Sequence, residues 1–369
     1  MNYKKTISEA LSIADVEING SRPWDIQIKN EDFYARVLAN PSLGLGESYM
    51  DSWWECEQLD VMMAKIFRAR LGEHLDPSKL LFPALMAKLQ NPGRKKKAFE
   101  IGQKHYDTGN DFFERMLDKR MTYTCGYFKE VVTLDEAQEA KLDLVCQKIG
   151  LKPGDHVLDI GCGWGSFMFY AAEKYGARCT GITVSKEQVA LGNKRVGNLP
   201  VTFELKDYRE VSAHYDHVVS LGMFEHVGPK SHRIFMEKVN SILHDDGFLL
   251  LHTIGMSKAE PYEDPFLEKY IFPNSLSPSV GQLATAIEGL FVMEDWHNFG
   301  TYYDTTCMHW WKNIEQHWPE IKDNYSERFY RMWRFFLLAA AGSFRSRTGQ
   351  LWQVVLSKHG VLGGYTSVR

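Results

Sequence analysis

The sequence lacks the signals of several large protein classes. Its six cysteines (Cys56, Cys125, Cys146, Cys162, Cys179 and Cys307) form no CxxC pair and show no His/Cys spacing suited to a metal. Neither a zinc site nor a disulfide framework is therefore expected. With no signal peptide at the start, the thiols read as reduced ones in a cytosolic protein. No apolar run approaches the ~20 residues of a membrane-spanning helix, so contact with a membrane must come from the surface. A net charge of -4 gives no reason to expect a nucleic-acid partner. No internal repeat or low-complexity stretch appears.

The chain does have size and apolar content. Its 369 residues exceed what one core usually holds, so two lobes or one domain with a large cap are expected. With 44% hydrophobic and 24% charged residues it has the composition of a folded soluble protein. The ten Trp could fill large cores, line an aromatic pocket or face a membrane.

Residues 1–90 read as a small helical domain, expected to bind lipid. ISEALSIADV and LDVMMAKIFRARL have helical spacing, and PSLGLGESYMDSWWECEQLD mixes glycine turns with exposed-looking aromatics. Residues 91–104 form a basic linker that opens on the turn Asn91-Pro92-Gly93 and carries the run Arg94 to Lys97. Such a run is either a solvated face or an attraction to anionic headgroups, worth ~1 kcal/mol per basic residue near the surface. Residues 105–369 read as the catalytic domain. His105 to Phe128 predicts a helix and an aromatic loop, and 135–149 an amphipathic helix ended by Gly150 and Pro153. An insertion at 256–290, with Pro261, Pro265, Pro273 and Pro278, could act as a lid. FVMEDWHNFGTYYDTT reads as a hairpin region, followed by a helix pair and a last strand, LWQVVLSK. The second helix of the pair, YSERFYRMWRFFLLAAAGSFRSR, is expected to pack on the sheet, though an acyl-chain tunnel would demand the same residues.

The organising stretch is HVLDIGCGWGSF, His156 to Phe167, a short strand, a glycine-rich turn and the start of a helix. Glycines at 161, 163 and 165 permit a sharp turn and a close approach of a ligand to the main chain. Four more strand-like runs alternate with helices: Arg178 to Thr183, Val201 to Lys206, His217 to Leu221 and Phe248 to Thr253. This alternation predicts an α/β fold, an open and mostly parallel sheet with helices on both faces. Ligands bind outside the carboxyl ends of such strands, where Asp159, Thr183, Asp207, Glu225 and His252 are expected. GCGWGS departs from the G-x-G-x-x-G pyrophosphate fingerprint, and Thr183 stands where a dinucleotide site would place an acidic residue. A nucleoside without a pyrophosphate fits better, and S-adenosylmethionine is such a ligand.

YTCGYF (123–128), GMFEHVG (222–228), LLHTIG (250–255) and NFGTYYDTT (298–306), together with GLGESYMDSWWEC, DNYSERF and LWQVV, resemble the cyclopropane-fatty-acyl-phospholipid synthases and the related mycolic acid cyclopropane synthases. The resemblance implies a Rossmann-like, class I S-adenosylmethionine-dependent methyltransferase domain with a small N-terminal helical domain. It implies methylene transfer to a cis double bond in an acyl chain of a membrane phospholipid, through a carbocation deprotonated by a bound bicarbonate. The anion's expected holders are Cys125, Glu225, His252, the main chain of Ile254, and Tyr303. Tyr123, Thr124, Asp159, Gly161, Gly163, Gly165, Thr183, Gln188, Asp207 and Tyr208 are the expected cofactor contacts. No metal is implied. The implied partners are an unsaturated phospholipid bilayer, with an anionic surface favoured, and a second copy in a homodimer. The implied location is the cytoplasm, peripheral to the inner face of the cell membrane.

From the residues themselves, Glu225 and His252 would be assigned as the base directly, and Cys125 could be only a small apolar lining residue. His226, Tyr302 and Trp296 fit packing as well as catalysis. Two rival readings keep the fold. One is an olefin methyltransferase yielding a methyl-branched chain, and the other a membrane-bound scaffold that responds to S-adenosylmethionine without turnover.

Overall fold

The computed structural model describes residues 3–71 and 109–369. The basic run Arg94 to Lys97, the rest of the linker 91–104, and His105 lie outside the described residues. The chain divides into two compact units. One, mainly helical, comprises Met1–Met116, Tyr262–Pro273 and Asp304–Thr348, and the other comprises Leu117–Pro261, Asn274–Tyr303 and Gly349–Arg369.

In the helical unit, β1 (Gln27–Ile28) pairs antiparallel with β2 (Trp54–Glu55). The stretch expected to mix glycine turns with exposed aromatics is different in the structure. Pro41–Met50 is a helix, and both Tyr49 and Trp54 are fully buried. Its glycines serve close packing. A Cβ on Gly44 would stand 2.4 Å from the Arg36 carbonyl oxygen, and one on Gly46 would stand 2.3 Å from the Phe266 ring. The apolar helix Glu327–Arg345, expected on the sheet, packs within this unit on Pro41–Met50 and Leu59–Arg68. There Gly342 lets two helix backbones approach, since a Cβ would lie 2.7 Å from the Ala64 nitrogen. Both departures have one cause. Glycine on a helix marks a tight crossing as readily as it marks a turn.

The other unit is built on a seven-stranded sheet of order β5-β4-β3-β6-β7-β9-β8. The strands are β3 (His156–Ile160), β4 (Arg178–Thr183), β5 (Val201–Leu205), β6 (Tyr215–Leu221), β7 (Leu243–Met256), β8 (Val292–Asn298) and β9 (Gly349–Ser357). From β5 to β7 all pairings are parallel. The last strand, β9, inserts antiparallel between β7 and β8, so β8 is an edge strand and not half of a local hairpin. Alternate residues feed two cores, as a strand's period of two requires. Leu158, Val218, Leu249 and Val354 join the helices His232–Ile242 and Val280–Ile287 on one face. Val157, Val219, Leu250 and Val355 meet Leu142, Val145 and Cys146 of the helix Leu134–Lys148 on the other.

The expected lid is split between the units. Residues Tyr262–Pro273, with the helix Pro265–Tyr270, belong to the helical unit, while the helix Val280–Ile287, with its capping box of Ser279 and Gln282, belongs to the sheet unit.

Candidate active site

Every site residue named from the sequence falls in the sheet unit. β3 runs into the glycine turn, where the amides of Gly161 and Cys162 both donate to the Ile182 carbonyl of β4, at 2.9 and 3.1 Å. Gly161, Gly163 and Gly165 have φ of +82°, +54° and +86°, in the region where a side chain is strained. Only two of the three are also needed for packing. A Cβ on Gly161 would sit 2.5 Å from Met223, and one on Gly165 would sit 2.4 Å from the Phe203 ring. At Gly163 a Cβ would meet nothing within 4 Å, so bare backbone borders open space. The helix Ser166–Tyr175 starts immediately after this turn.

Asp159, on the face of β3 covered by Leu134–Lys148, is buried, and its Oδ1 has no hydrogen-bond partner among the described residues. Burial pushes its carboxyl up to about 7, against the opposing pull of Lys141. Lys141 is fully buried on that covering helix and donates from Nζ to Thr124 Oγ1 at 2.7 Å. Burial lowers the ammonium to about 8, and Asp118, Cys125 and Asp159 resist that fall. One helical turn earlier, Gln138 donates from Nε2 to the Thr124 carbonyl at 2.7 Å. Asp118 accepts from the Thr122 amide at 2.7 Å and the Arg120 amide at 3.0 Å. The loop carrying Tyr123, Thr124 and Cys125 is thus held by buried side chains. Sequence reasoning missed Lys141 and Gln138, because no local signal separates them from the solvated polar residues of the same amphipathic helix.

The structure places the remaining expected cofactor residues as follows. Thr183 ends β4 and donates from Oγ1 to Gln188 Oε1 at 2.7 Å, so these two are together. Asp207 follows β5, but its carboxylate accepts from the Arg209 amide and the Arg209 guanidinium, at 2.9 to 3.1 Å. Its carboxyl lies below the usual range because these Arg209 bonds outweigh the opposing effect of partial burial. Tyr208 is turned into the core beside Phe235, with ring centroids 5.2 Å apart.

Beyond the end of β6 the chain forms a short turn of 3-10 helix, Phe224–His226. The Gly222 amide still donates to the His252 carbonyl at 2.8 Å, continuing the β6–β7 ladder. Two residues on, the Ile254 amide has passed the end of β6, and Glu225 Oε1 accepts from it at 2.7 Å. The Ile254 amide, expected to face an anion, is thus engaged by Glu225. Glu225 is buried, Oε2 has no hydrogen-bond partner among the described residues, and burial raises the carboxyl to about 7 against the Ile254 amide. His252, expected at a strand end, lies within β7 because β7 overruns its neighbour; it pairs with Leu221, the last residue of β6. The amide of Gln353, opposite it on β9, faces His252 Nδ1 at 3.4 Å, and Nε2 has no partner among the described residues. Burial, reinforced by Lys141 and Lys148, holds this imidazole neutral well below the ordinary histidine range.

Cys125 is fully buried and donates from Sγ to the Gly126 carbonyl at 3.2 Å. Tyr303 is buried at the start of the helix Thr301–Ile321. Tyr302 belongs to an aromatic group with Tyr127 and Phe299, and Phe299 lies edge-on to His252 at 5.9 Å. Trp296 instead packs on Trp352 in the opposite core.

These residues fit a nucleoside ligand and a small anion. The open backbone at Gly163 beside a buried carboxylate suits the first, and the partnerless Glu225 Oε2 and His252 Nε2 suit the second. Comparison with known proteins agrees on the first ligand's class. Residues 93–354 match the family model described as mycolic acid cyclopropane synthetase. The chain is 50% identical, over its full length and 96% of the relative, to the cyclopropane-fatty-acyl-phospholipid synthase of Escherichia coli (strain K12). It is 37% identical, over 69% of this chain and 53% of the relative, to the sphingolipid C9-methyltransferase A of Emericella nidulans. Among solved structures, the cyclopropane synthase MmaA2 from Mycobacterium tuberculosis matches with TM-score 0.65 and 32% identity, over 73% of this chain and all of that one. The mycolic acid cyclopropane synthase CmaA1, complexed with SAH and CTAB, matches with TM-score 0.64 and 30% identity, over 72% of this chain and 99% of that one. On its sheet order, its glycine turn and these matches, the chain belongs to the mycolic acid cyclopropane synthetase family and is an S-adenosylmethionine-dependent methyltransferase.

Proposed function

We propose that this enzyme transfers a methylene group from S-adenosylmethionine to the cis double bond of an unsaturated acyl chain in a membrane phospholipid. The product is a cyclopropane fatty acyl chain. The observation that carries this reading is the full-length 50% identity to a cyclopropane-fatty-acyl-phospholipid synthase, joined to the pair of buried acceptor and donor atoms on Glu225 and His252.

The cofactor supplies an electrophilic methyl group, with the open backbone at Gly163 and the carboxylate of Asp159 as its holders. An alkene is a weak nucleophile, so its π-density must be aligned with the methyl carbon at near-attack distance. Attack leaves a carbocation on the acyl chain, and loss of a proton from the added methyl closes the ring. Water would trap that cation as an alcohol. Burial of Cys125, Glu225, His252 and Tyr303 is what such a step requires. The aromatic group of Tyr127, Phe299 and Tyr302 offers electron-rich faces to the cation.

The proton acceptor in this reading is a bicarbonate ion. Neutral His252, through Nε2, and the Tyr303 hydroxyl would hold it as hydrogen-bond donors. Glu225, raised to about 7, stands near the midpoint of its titration at neutral pH, so its carboxyl can take up or give back a proton. The enzyme would work as a peripheral protein on the inner face of the membrane, on an anionic bilayer and as a homodimer. No helix among the described residues is long and apolar enough to cross a membrane.

Incubating the protein with unsaturated phospholipid vesicles and methyl-labelled S-adenosylmethionine tests the reading. Label should enter the acyl chains without added reductant. Cofactor binding with no label in lipid would support a non-catalytic scaffold instead.

A further inference from the structure

The least expected residue of the sheet unit is Lys141. A fully buried lysine is costly unless its charge has a use. Lys141 makes its 2.7 Å hydrogen bond to the neutral hydroxyl of Thr124. Its helix covers the face of the sheet onto which Asp159 projects, as Asp159 alternates with Ile160 and shares the side of Val157. The titratable groups facing the ammonium come from three elements: Asp118 and Cys125 from the loop, Asp159 from β3, and His252 from β7. Asp118 is occupied by the amides of its own loop. Asp159 is buried with one oxygen lacking any hydrogen-bond partner among the described residues, and the turn that follows its strand carries the open backbone of Gly163.

We propose that Lys141 is a positioning residue of the cofactor site: its buried ammonium fixes the Thr124 hydroxyl and keeps Asp159 ionised to receive the α-amino group of S-adenosylmethionine. This rests on the cofactor reading above and extends it to a residue with no direct contact to the reacting atoms. Without the ammonium, nothing offsets the desolvation of Asp159, whose carboxyl already lies at about 7. It would become protonated at neutral pH, and a neutral acid holds an ammonium group poorly. The adenosine part of the cofactor carries no ammonium group that needs that charge.

The test is calorimetric binding to the full-length protein with two probes: S-adenosylhomocysteine, which carries the amino-acid group, and methylthioadenosine, which lacks it. Lys141→Met should weaken S-adenosylhomocysteine at pH 7 by at least about fivefold, because raising a half-ionised carboxyl by one pH unit leaves only about a tenth of it ionised. Methylthioadenosine should change by less than about threefold on the same scale. The wild-type affinity for S-adenosylhomocysteine should rise as pH increases through about 7, where Asp159 ionises, and this rise should move to higher pH in the variant. Lys141→Gln, which keeps polarity without charge, should behave like Lys141→Met and provides a second variant should that one fold poorly. Equal weakening of both probes, or a loss of affinity independent of pH, would mean that Lys141 is merely structural and would overturn the proposal. Wild-type protein that fails to bind S-adenosylhomocysteine would instead overturn the cofactor reading.

Discussion

Glu225→Gln should change stability and activity in opposite directions at alkaline pH. The side chain keeps its size and can still accept from the Ile254 amide, now made at 2.7 Å. It can no longer ionise. In the folded protein this carboxyl is raised from its ordinary 4.5 to about 7 by burial. A carboxyl raised on folding costs stability as pH rises from the unfolded value through the folded one. The gap between 4.5 and about 7, at about 1.36 kcal/mol per pH unit, sets the full cost near 3 kcal/mol above pH 7. The glutamine escapes that cost, but its amide has no partner at the Oε2 position, which costs about 1–3 kcal/mol at every pH. The variant should therefore be the less stable protein at pH 5, and should gain on wild type by about 2–3 kcal/mol between pH 5 and pH 8. Turnover should fall by about 10²–10⁴ throughout, the usual worth of a proton-transfer group. Urea unfolding at several pH values, with label incorporation in the same buffers, measures both. Parallel stability curves for the two proteins would show that Glu225 is not a buried acid titrating near 7. Near wild-type turnover would remove it from the proton path.

Four other perturbations separate the parts of the structure. Gly163→Ala should cost only the ~1 kcal/mol of left-handed backbone strain, yet abolish S-adenosylhomocysteine binding, because the methyl enters open space at the cradle. Gly161→Ala should instead lower the melting temperature sharply, because its methyl would meet Met223 at 2.5 Å; similar losses of stability for the two would refute the distinction. In the helical unit, buried Glu47 accepts from Arg36, Lys269 and the Tyr270 hydroxyl. Burial opposes ionisation there, but Lys269 and Arg36 outweigh it and hold the carboxyl down at about 2. Glu47→Gln should cost about 3–5 kcal/mol at neutral pH. A carboxyl lowered on folding stabilises above 4.5 and loses that contribution as pH falls toward 2, so urea unfolding should show the difference narrowing below pH 4.5. Neutralising Arg94 to Lys97 should weaken binding to anionic vesicles chiefly at low salt, as a cosedimentation assay would show; equal binding of the wild type to neutral and anionic vesicles would count against a basic contact.

The strands of the parallel half were legible because each is a short apolar run between turns. Arg178–Thr183 has the expected bounds, and β3 ends at the expected glycine. Where β9 inserts was not legible, since strand order depends on contacts between residues a hundred positions apart, such as His252 and Gln353. The same distance hid Gln353 as a partner of His252. Glu225 and His252 were found from their motifs, but His252 was misplaced because nothing local shows that β7 continues past the end of β6. Lys141 was hidden for a different reason. A lysine in an amphipathic helix resembles every solvated lysine until the fold shows it on the buried face.

The sharpest measurement uses S-adenosylmethionine carrying a fully deuterated methyl group, with mass spectrometry of the lipid product. Methylene transfer with ring closure removes one label as a deuteron, so the product should retain two of the three deuterium atoms, in a chain whose double bond has become a ring. Retention of all three, in a methyl-branched chain, would contradict the account.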